Sequence, residues 1–139
     1  MTRAPRIRQY AAEHLSNLLG RLVFQSHRAA RSHDADAIHD LRVSIRRFNQ
    51  GARAFGQFFP PRAVKRIRRR LHEIMDLAAL VRDRDIAVEL CVQTGMAESA
   101  PLCRALAAQR AEAARELRTL LKRFETRDYS SRWRARLRL

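Results

Sequence analysis

Proline stands at only four of the 139 positions, 5, 60, 61 and 101, and glycine at four more. Nowhere does an alternation of apolar and polar residues persist with a period of two, the pattern a half-buried strand requires. Proline and glycine interrupt regular backbone, so a chain with so few of them is committed to long helices punctuated at those points. A first helix is predicted to follow Pro5, a residue suited to a first turn, and to run to about Arg31 with Ala11, Leu15, Leu18, Leu19, Leu22 and Val23 on its apolar side. The polar segment SHDAD ends it, and Asp34 or Asp36 can cap a second helix that runs to about Phe58. Pro60 and Pro61 stop that helix. A third, from about Ala63, turns Ile67, Leu71, Ile74, Leu77 and Ala78 inward and continues or bends near VRDRD into Ile86, Val88 and Leu90. Residues 95–101 form a loop. The last long helix spans about 102–126 with Leu106, Ala113, Leu117, Leu120 and Phe124 inward, and DYSSRWRARLRL makes a short final element. The predicted fold class is all-α, an antiparallel bundle of four long helices. The length is enough for one core and too small for two, so residues 1–139 form a single domain in this reading.

Charge narrows the partners. Against 14 Asp+Glu stand 29 Lys+Arg, a formal net charge of +15, and only Lys65 and Lys122 among the basic residues are lysine. Such a surface repels its own copies and attracts polyanions: nucleic acid, an anionic membrane surface or another phosphate polymer. Arginine grips phosphate oxygens with two parallel donors where lysine offers a point charge; drift of a GC-rich genome toward arginine gives the same bias without any ligand. Cys91 and Cys103 are isolated thiols with no CxxC spacing, so neither a disulfide framework nor a thiolate metal site is indicated, and no cofactor is implied. The opening MTRAPRIRQYAAEHL lacks the apolar run of a secretion signal, and no segment approaches the roughly 20 apolar residues of a membrane span. The expectation is a soluble, unexported, cytoplasmic protein without a membrane partner.

The stretch IHDLRVSIRRFNQGARAF, residues 38–55, concentrates this charge. At about 100° per residue, Ile38, Leu41, Ile45, Phe48, Ala52 and Phe55 share one stripe, while His39, Arg42, Arg46 and Arg53 fall within an arc of roughly 60° on another side. They form a basic rail. Gln50 shares that side, Asn49 lies beside it, and Arg47 adds a further charge. Like charges four residues apart destabilise a helix by a few tenths of a kcal/mol per pair. A rail therefore points to compensation, by carboxylates of a neighbouring helix or by a bound anion; the alternative is a solvated face. A second run, PRAVKRIRRRLHEI, spreads its charges round the third helix, and Arg62, Lys65, Arg66 and Arg69 share a side that can face the rail, whereas Arg68 and Arg70 read as solubilising surface. In LAALVRDRDIAVEL, Asp83 and Asp85 are expected to pair with arginines of the second helix; two carboxylates without a glycine-turned loop make a poor calcium or magnesium site.

These residues resemble a known family. HDLRVSIRR matches the HxxRVxxRR signature of CHAD domains (conserved histidine α-helical domains), and RDRD after a leucine-rich helix is similar to their second signature, RDxD, in the same order and spacing. The closing ARELRTLLKRF and YSSRWRARL are similar to the end of a CHAD half. The resemblance implies a helical module that binds inorganic polyphosphate through a basic surface and catalyses nothing, with the motif falling on His39, Arg42, Arg46 and Arg47 and with Arg53 further along the helix. Two departures stand out. Many members carry another arginine where this chain has Asn49, and typical CHAD domains contain two four-helix halves where this chain holds one. A single half leaves exposed the side on which the other would pack, so a homodimer is expected, and granules of polyphosphate are a natural place of action.

The chemistry agrees with that implication. A phosphate polymer offers repeated charges and no base to read, so it calls for repeated bidentate donors and no stacking platform. The alternative is a nucleic-acid-binding helical protein, which the charge alone permits; there, aromatics usually interleave with basic residues, and here only Tyr10, Tyr129 and Trp133 are available for stacking. A metal-binding reading rests on His33, Asp34, Asp36, His39 and Asp40, whose arginine-rich surroundings oppose a cation. Hydrolysis of polyphosphate would need clustered carboxylates to hold magnesium, and the acidic residues are scattered.

Overall fold

The helices change where the prolines and the SHDAD segment stand. The computed structural model describes the backbone of residues 3–139 and side chains from residue 6 onward. It contains five α-helices, α1 Arg3–Arg31, α2 Ala35–Ala54, α3 Pro61–Gln93, α4 Pro101–Thr126 and α5 Tyr129–Leu137, and no strand among the described residues. Pro5 falls inside the first turn of α1, where backbone N–H groups have no helical partner and a missing one costs nothing. Of the two candidate caps for α2, Asp34 is the one used: its Oδ1 accepts from the Ala37 N–H at 2.8 Å.

Two boundaries differ from expectation. Helix α2 ends at Ala54 rather than near Phe58; Phe55 closes its last turn and residues Gly56–Phe58 tighten into a 3₁₀ turn. That turn sends Phe59 into the core, and Phe59 leaves it extended, the conformation that the following Pro60 demands. Helix α3 runs through VRDRD unbroken for 33 residues, since neither proline nor glycine lies within it after Pro61. Its end is closed at Gly95, whose φ of +83° is open to glycine and strained for other residues.

Each of the four long helices packs on two others, α1 on α2 and α4, and α3 on α2 and α4, while α5 lies against α3, α4 and α1. The expected stripes meet in one core: Ala11, Leu15, Leu19 and Leu22 of α1, Ile38, Leu41, Ile45, Phe48 and Ala52 of α2, Ile67, Leu71, Ile74 and Ala78 of α3. Leu18, Val23, Leu77 and Leu120 border it, and Val81, Ala114 and Leu121 join it beyond the expected set. Gly51 sits where a Cβ would come within 2.6 Å of Leu18 Cδ1, so its bareness lets α1 and α2 approach. The short last element is anchored by Tyr129, Trp133 and Leu137, all buried, with the Tyr129 and Trp133 rings 4.9 Å apart edge to face and Phe124 beside both. Burial pushes the Tyr129 hydroxyl up to about 12; Ser26 faces it and opposes the shift, yet neither hydroxyl reaches hydrogen-bonding geometry.

Three interhelical bridges tie the exteriors. Arg28 of α1 pairs with Asp40 of α2. Glu125 of α4 accepts from Arg31 at 2.9 Å and lies 2.9 Å from His27 Nδ1, both on α1. Arg110 of α4 donates to Asp85 of α3 at 2.7 Å and to the His33 carbonyl in the α1–α2 turn. Past this last bridge the buried core stops: Ile86, Leu90, Val92 and Leu102 are exposed on the α3–α4 hairpin. Cys103 is buried there, and burial together with the neighbouring Cys91 thiol raises its pKa; both cysteines are free.

The hydrogen bond from Arg31 holds the Glu125 carboxyl below its ordinary value of 4.5, with burial opposing and the charges of His27 and Arg31 assisting. A carboxylate lowered in the folded state contributes stability that is complete above its unfolded pKa and lost as pH falls through the folded one. The melting temperature should therefore decline on acidification below about pH 4.5, and Glu125→Gln should melt lower at pH 7 while losing part of that acid dependence. Thermal melts across pH 3–7 on both proteins check this; identical slopes would remove Glu125 from the account.

Candidate functional site

Helix α2 carries two surfaces. Its apolar stripe is buried, and on its flank His39, Arg46 and Arg53 are exposed while Arg42 is half-buried with its Nε enclosed and without a partner. Among the described residues, none of His39, Arg42, Arg46, Arg47, Arg53, Arg62, Lys65, Arg66 and Arg69 has a carboxylate within salt-bridge distance. The expected pairing of Asp83 and Asp85 with arginines of α2 is overturned. Asp85 takes Arg110 of α4, and Asp83 is exposed and makes no ion pair. The reason is the unbroken course of α3: Asp85, at the end of VRDRD, stands level with the His33 turn, where Arg110 of α4 reaches both.

The third helix sorts its charges by the neighbours it meets. Asn49 of α2 and Lys65, Arg68, Arg69, His72 and Asp76 of α3 line an open groove of about 610 Å³ between the two helices, with Asp76 lying 3.6 Å from His72. Asn49 stands three residues after Arg46, four before Arg53 and seven after Arg42, so the α2 wall of this groove is continuous with the rail. Its Oδ1 is buried without a partner. Arg68 belongs to this groove, contrary to the expectation that it is solubilising surface. Its signal was present: Lys65, Arg68, Arg69 and His72 follow i, i+3, i+4, i+7 spacing on one face. Arg66 points to the other flank, where with Arg70 it meets α5. Arg62 is exposed and lines neither surface. Arg47 also stands apart, in a groove of about 780 Å³ between α1 and α2 that it shares with Arg21, Arg134 and Asp40.

The histidine and aspartate cluster of the α1–α2 turn is dispersed into structural work. Asp34 caps α2, Asp40 binds Arg28 and His33 faces Arg110, and no group of three or more His, Cys, Asp or Glu among the described residues is arranged to hold a metal ion. Tyr129 and Trp133, available for stacking in the sequence, are buried at 5% and 4% exposure. Of the three candidates only Tyr10 is exposed, and it lies stacked on His14.

The arrangement is a strip of guanidinium and ammonium groups with neutral amides between them, open to solvent, with no ion-paired carboxylate on its arginines and lysine and with Asp76 beside His72 as the acid in its α3 wall. It suits an extended anion held from one side. A family model described as "CHAD domain" matches residues 9–139, nearly the whole chain. No curated protein and no solved structure matches it.

Because the rail has no internal partner, Arg46→Ala should leave stability within about 0.5 kcal/mol of the parent, the usual range for surface positions. Arg110→Ala strips the donor from the part-buried Asp85 and should cost about 1–3 kcal/mol. Urea denaturation of the two variants makes the comparison, and a rail variant as unstable as Arg110→Ala would mean a hidden structural partner.

Proposed function

The chain belongs to the CHAD-domain family, and on that premise we propose that it binds inorganic polyphosphate along the basic face of α2 and α3, without a reaction of its own. One observation carries the reading: Arg42 and Arg46 of the family signature, with Arg53 further along, share one flank of α2 and have no carboxylate within salt-bridge distance. We read the ring of α1 to α4 as an antiparallel four-helix bundle equivalent to one CHAD half, since α1 and α2 are joined by three residues and must reverse direction.

At 1.5 Å rise per residue, Arg42 and Arg46 stand about 6 Å apart along the axis and Arg53 about 10 Å further, so each guanidinium addresses a different phosphate. Planar forks give bidentate contacts to the oxygens of each, and Asn49 and Gln50 add neutral donors. No base is needed. The burial of Tyr129 and Trp133 withdraws two of three stacking groups, which weighs against single-stranded nucleic acid. No helix among the described residues is long and apolar enough to cross a membrane. The reading carries a cytoplasmic setting and granules of the polymer as the place of action.

Titration with long-chain polyphosphate, triphosphate and duplex DNA at fixed salt tests it. The long polymer should bind tightest at matched phosphate; equal or tighter DNA binding would favour the nucleic-acid alternative. Alanine at Arg42 or Arg46 should weaken polyphosphate binding by about 1–3 kcal/mol each. Each loss should flatten the slope of log affinity against log salt by up to roughly one unit per phosphate contact. Lysine at either position should restore most of the slope and only part of the affinity, since charge returns without the fork.

The same reading includes a homodimer. Exposed Ile86, Leu90, Val92 and Leu102 on the α3–α4 hairpin offer an apolar surface that a second copy would cover by twofold association, joining two rails into a longer track. Light scattering at micromolar concentration should give twice 16.2 kDa, and a mass of 16.2 kDa with and without polyphosphate would reject it.

A further inference from the structure

On the opposite flank of α3 from the groove, five arginines meet at one small cavity. Arg66 and Arg70 come from α3, Arg127 from the α4–α5 turn, and Arg132 and Arg136 from α5, over a floor that includes the buried Trp133 ring. We propose that this pocket is a second anion site that seats a single terminal phosphoryl group, whether of free orthophosphate or of a polyphosphate chain end.

Exposed arginines on an arginine-rich surface ordinarily diverge into water, because like charges repel. Here they converge. The one carboxylate paired with any of the five is Glu73, 3.7 Å from Arg70 and itself exposed. Glu125, close enough to influence Tyr129, is held from the other side by Arg31 and His27. Burial, then the charges of Arg66, Arg132 and Arg70, holds the Arg136 guanidinium below the usual arginine value, while leaving it charged at neutral pH. Among the described residues the repulsion is therefore offset by an ion pair at Arg70 alone.

Size selects the occupant. The cavity is about 50 Å³, room for roughly three to five water positions, the scale of one tetrahedral oxyanion and far below the α2–α3 groove. Phe124, Tyr129 and Trp133 close its floor. A polymer running through would need an entrance and an exit; a chain end needs one mouth. A terminal phosphoryl also carries close to two charges at pH 7, its second pKa being about 6, which suits several guanidiniums better than the single charge of an internal phosphate. The chain-end source rests on the polyphosphate function proposed above, and the orthophosphate source does not.

Trp133 is the only tryptophan of the chain and lines the pocket, so its emission reports on this site and not on the rail. Emission is titrated with orthophosphate, triphosphate and long-chain polyphosphate at matched ionic strength, with sodium chloride as control. A saturable change with orthophosphate and triphosphate is expected, and none with chloride; at equal total phosphate, triphosphate should act more strongly than long chains because it has more ends. Response to triphosphate alone assigns the seat to chain ends, and response to both assigns it to free phosphate as well. Arg132→Gln with Arg136→Gln should weaken this response at least tenfold while long-chain binding on the rail stays within about threefold. Arg46→Ala should do the reverse. If the double variant melts early, Arg132→Gln alone, on an exposed side chain, must weaken the response at least threefold. The proposal is overturned by no response to either small phosphate, by a response unchanged in these variants, or by one that follows total phosphate whatever the chain length. A pocket response in a protein that does not bind long polyphosphate would remove the rail reading and leave the seat standing.

Discussion

Fourteen carboxylates face 29 arginines and lysines in this chain, and the character of its surface follows from where those few acids are placed. Asp40, Glu125 and Asp85 each join two helices, and Asp34 satisfies the start of α2. Glu73 and Asp76 stay within their own helix, beside Arg70 and His72. None is placed on the rail. The Arg28–Asp40 pair is the exposed kind that contributes little stability, while Glu125 and Asp85 are part-buried; what all of them leave over is a rail on α2 with no ion-paired acid and, on α3, a groove whose one lining acid among the described residues is Asp76.

The core supplies the frame on which that strip is held. Tight approach of α1 to α2 at Gly51 and the apolar seam shared by α2 and α3 keep the two basic helices in fixed relation. Side chains on their adjoining flanks then bound a groove without being packed into it. The unbroken course of α3 matters for the same reason, because it carries Asp85 away from the rail and hands it to Arg110.

How much could be read from the residues is clear in α2 and α3. In α2 the basic and apolar sides separate cleanly by helical period, and the expected stripe of Ile38, Leu41, Ile45, Phe48 and Ala52 is the buried one. In α3 the charges lie nearly all round the helix. Which of them face α2 depends on the orientation of α3 against its neighbours, so Arg68 gained a place in the groove and Arg66 left for the α5 side. The partner of Asp85 was equally hidden, since Arg110 is 25 residues away on a different helix.

Helical character, the places where the long helices are interrupted, the inward stripes of α1 and α2 and membership among CHAD domains are all legible in the residues alone, because they are written in local periodicity, turn residues and short motifs. Packing settles the rest: Tyr129 and Trp133 are core, Asp85 serves α4, the basic residues of α3 divide between two surfaces and five arginines line one cavity. These are properties of pairs of elements brought together by packing. Helical spacing states which residues share a face; it does not state what that face meets.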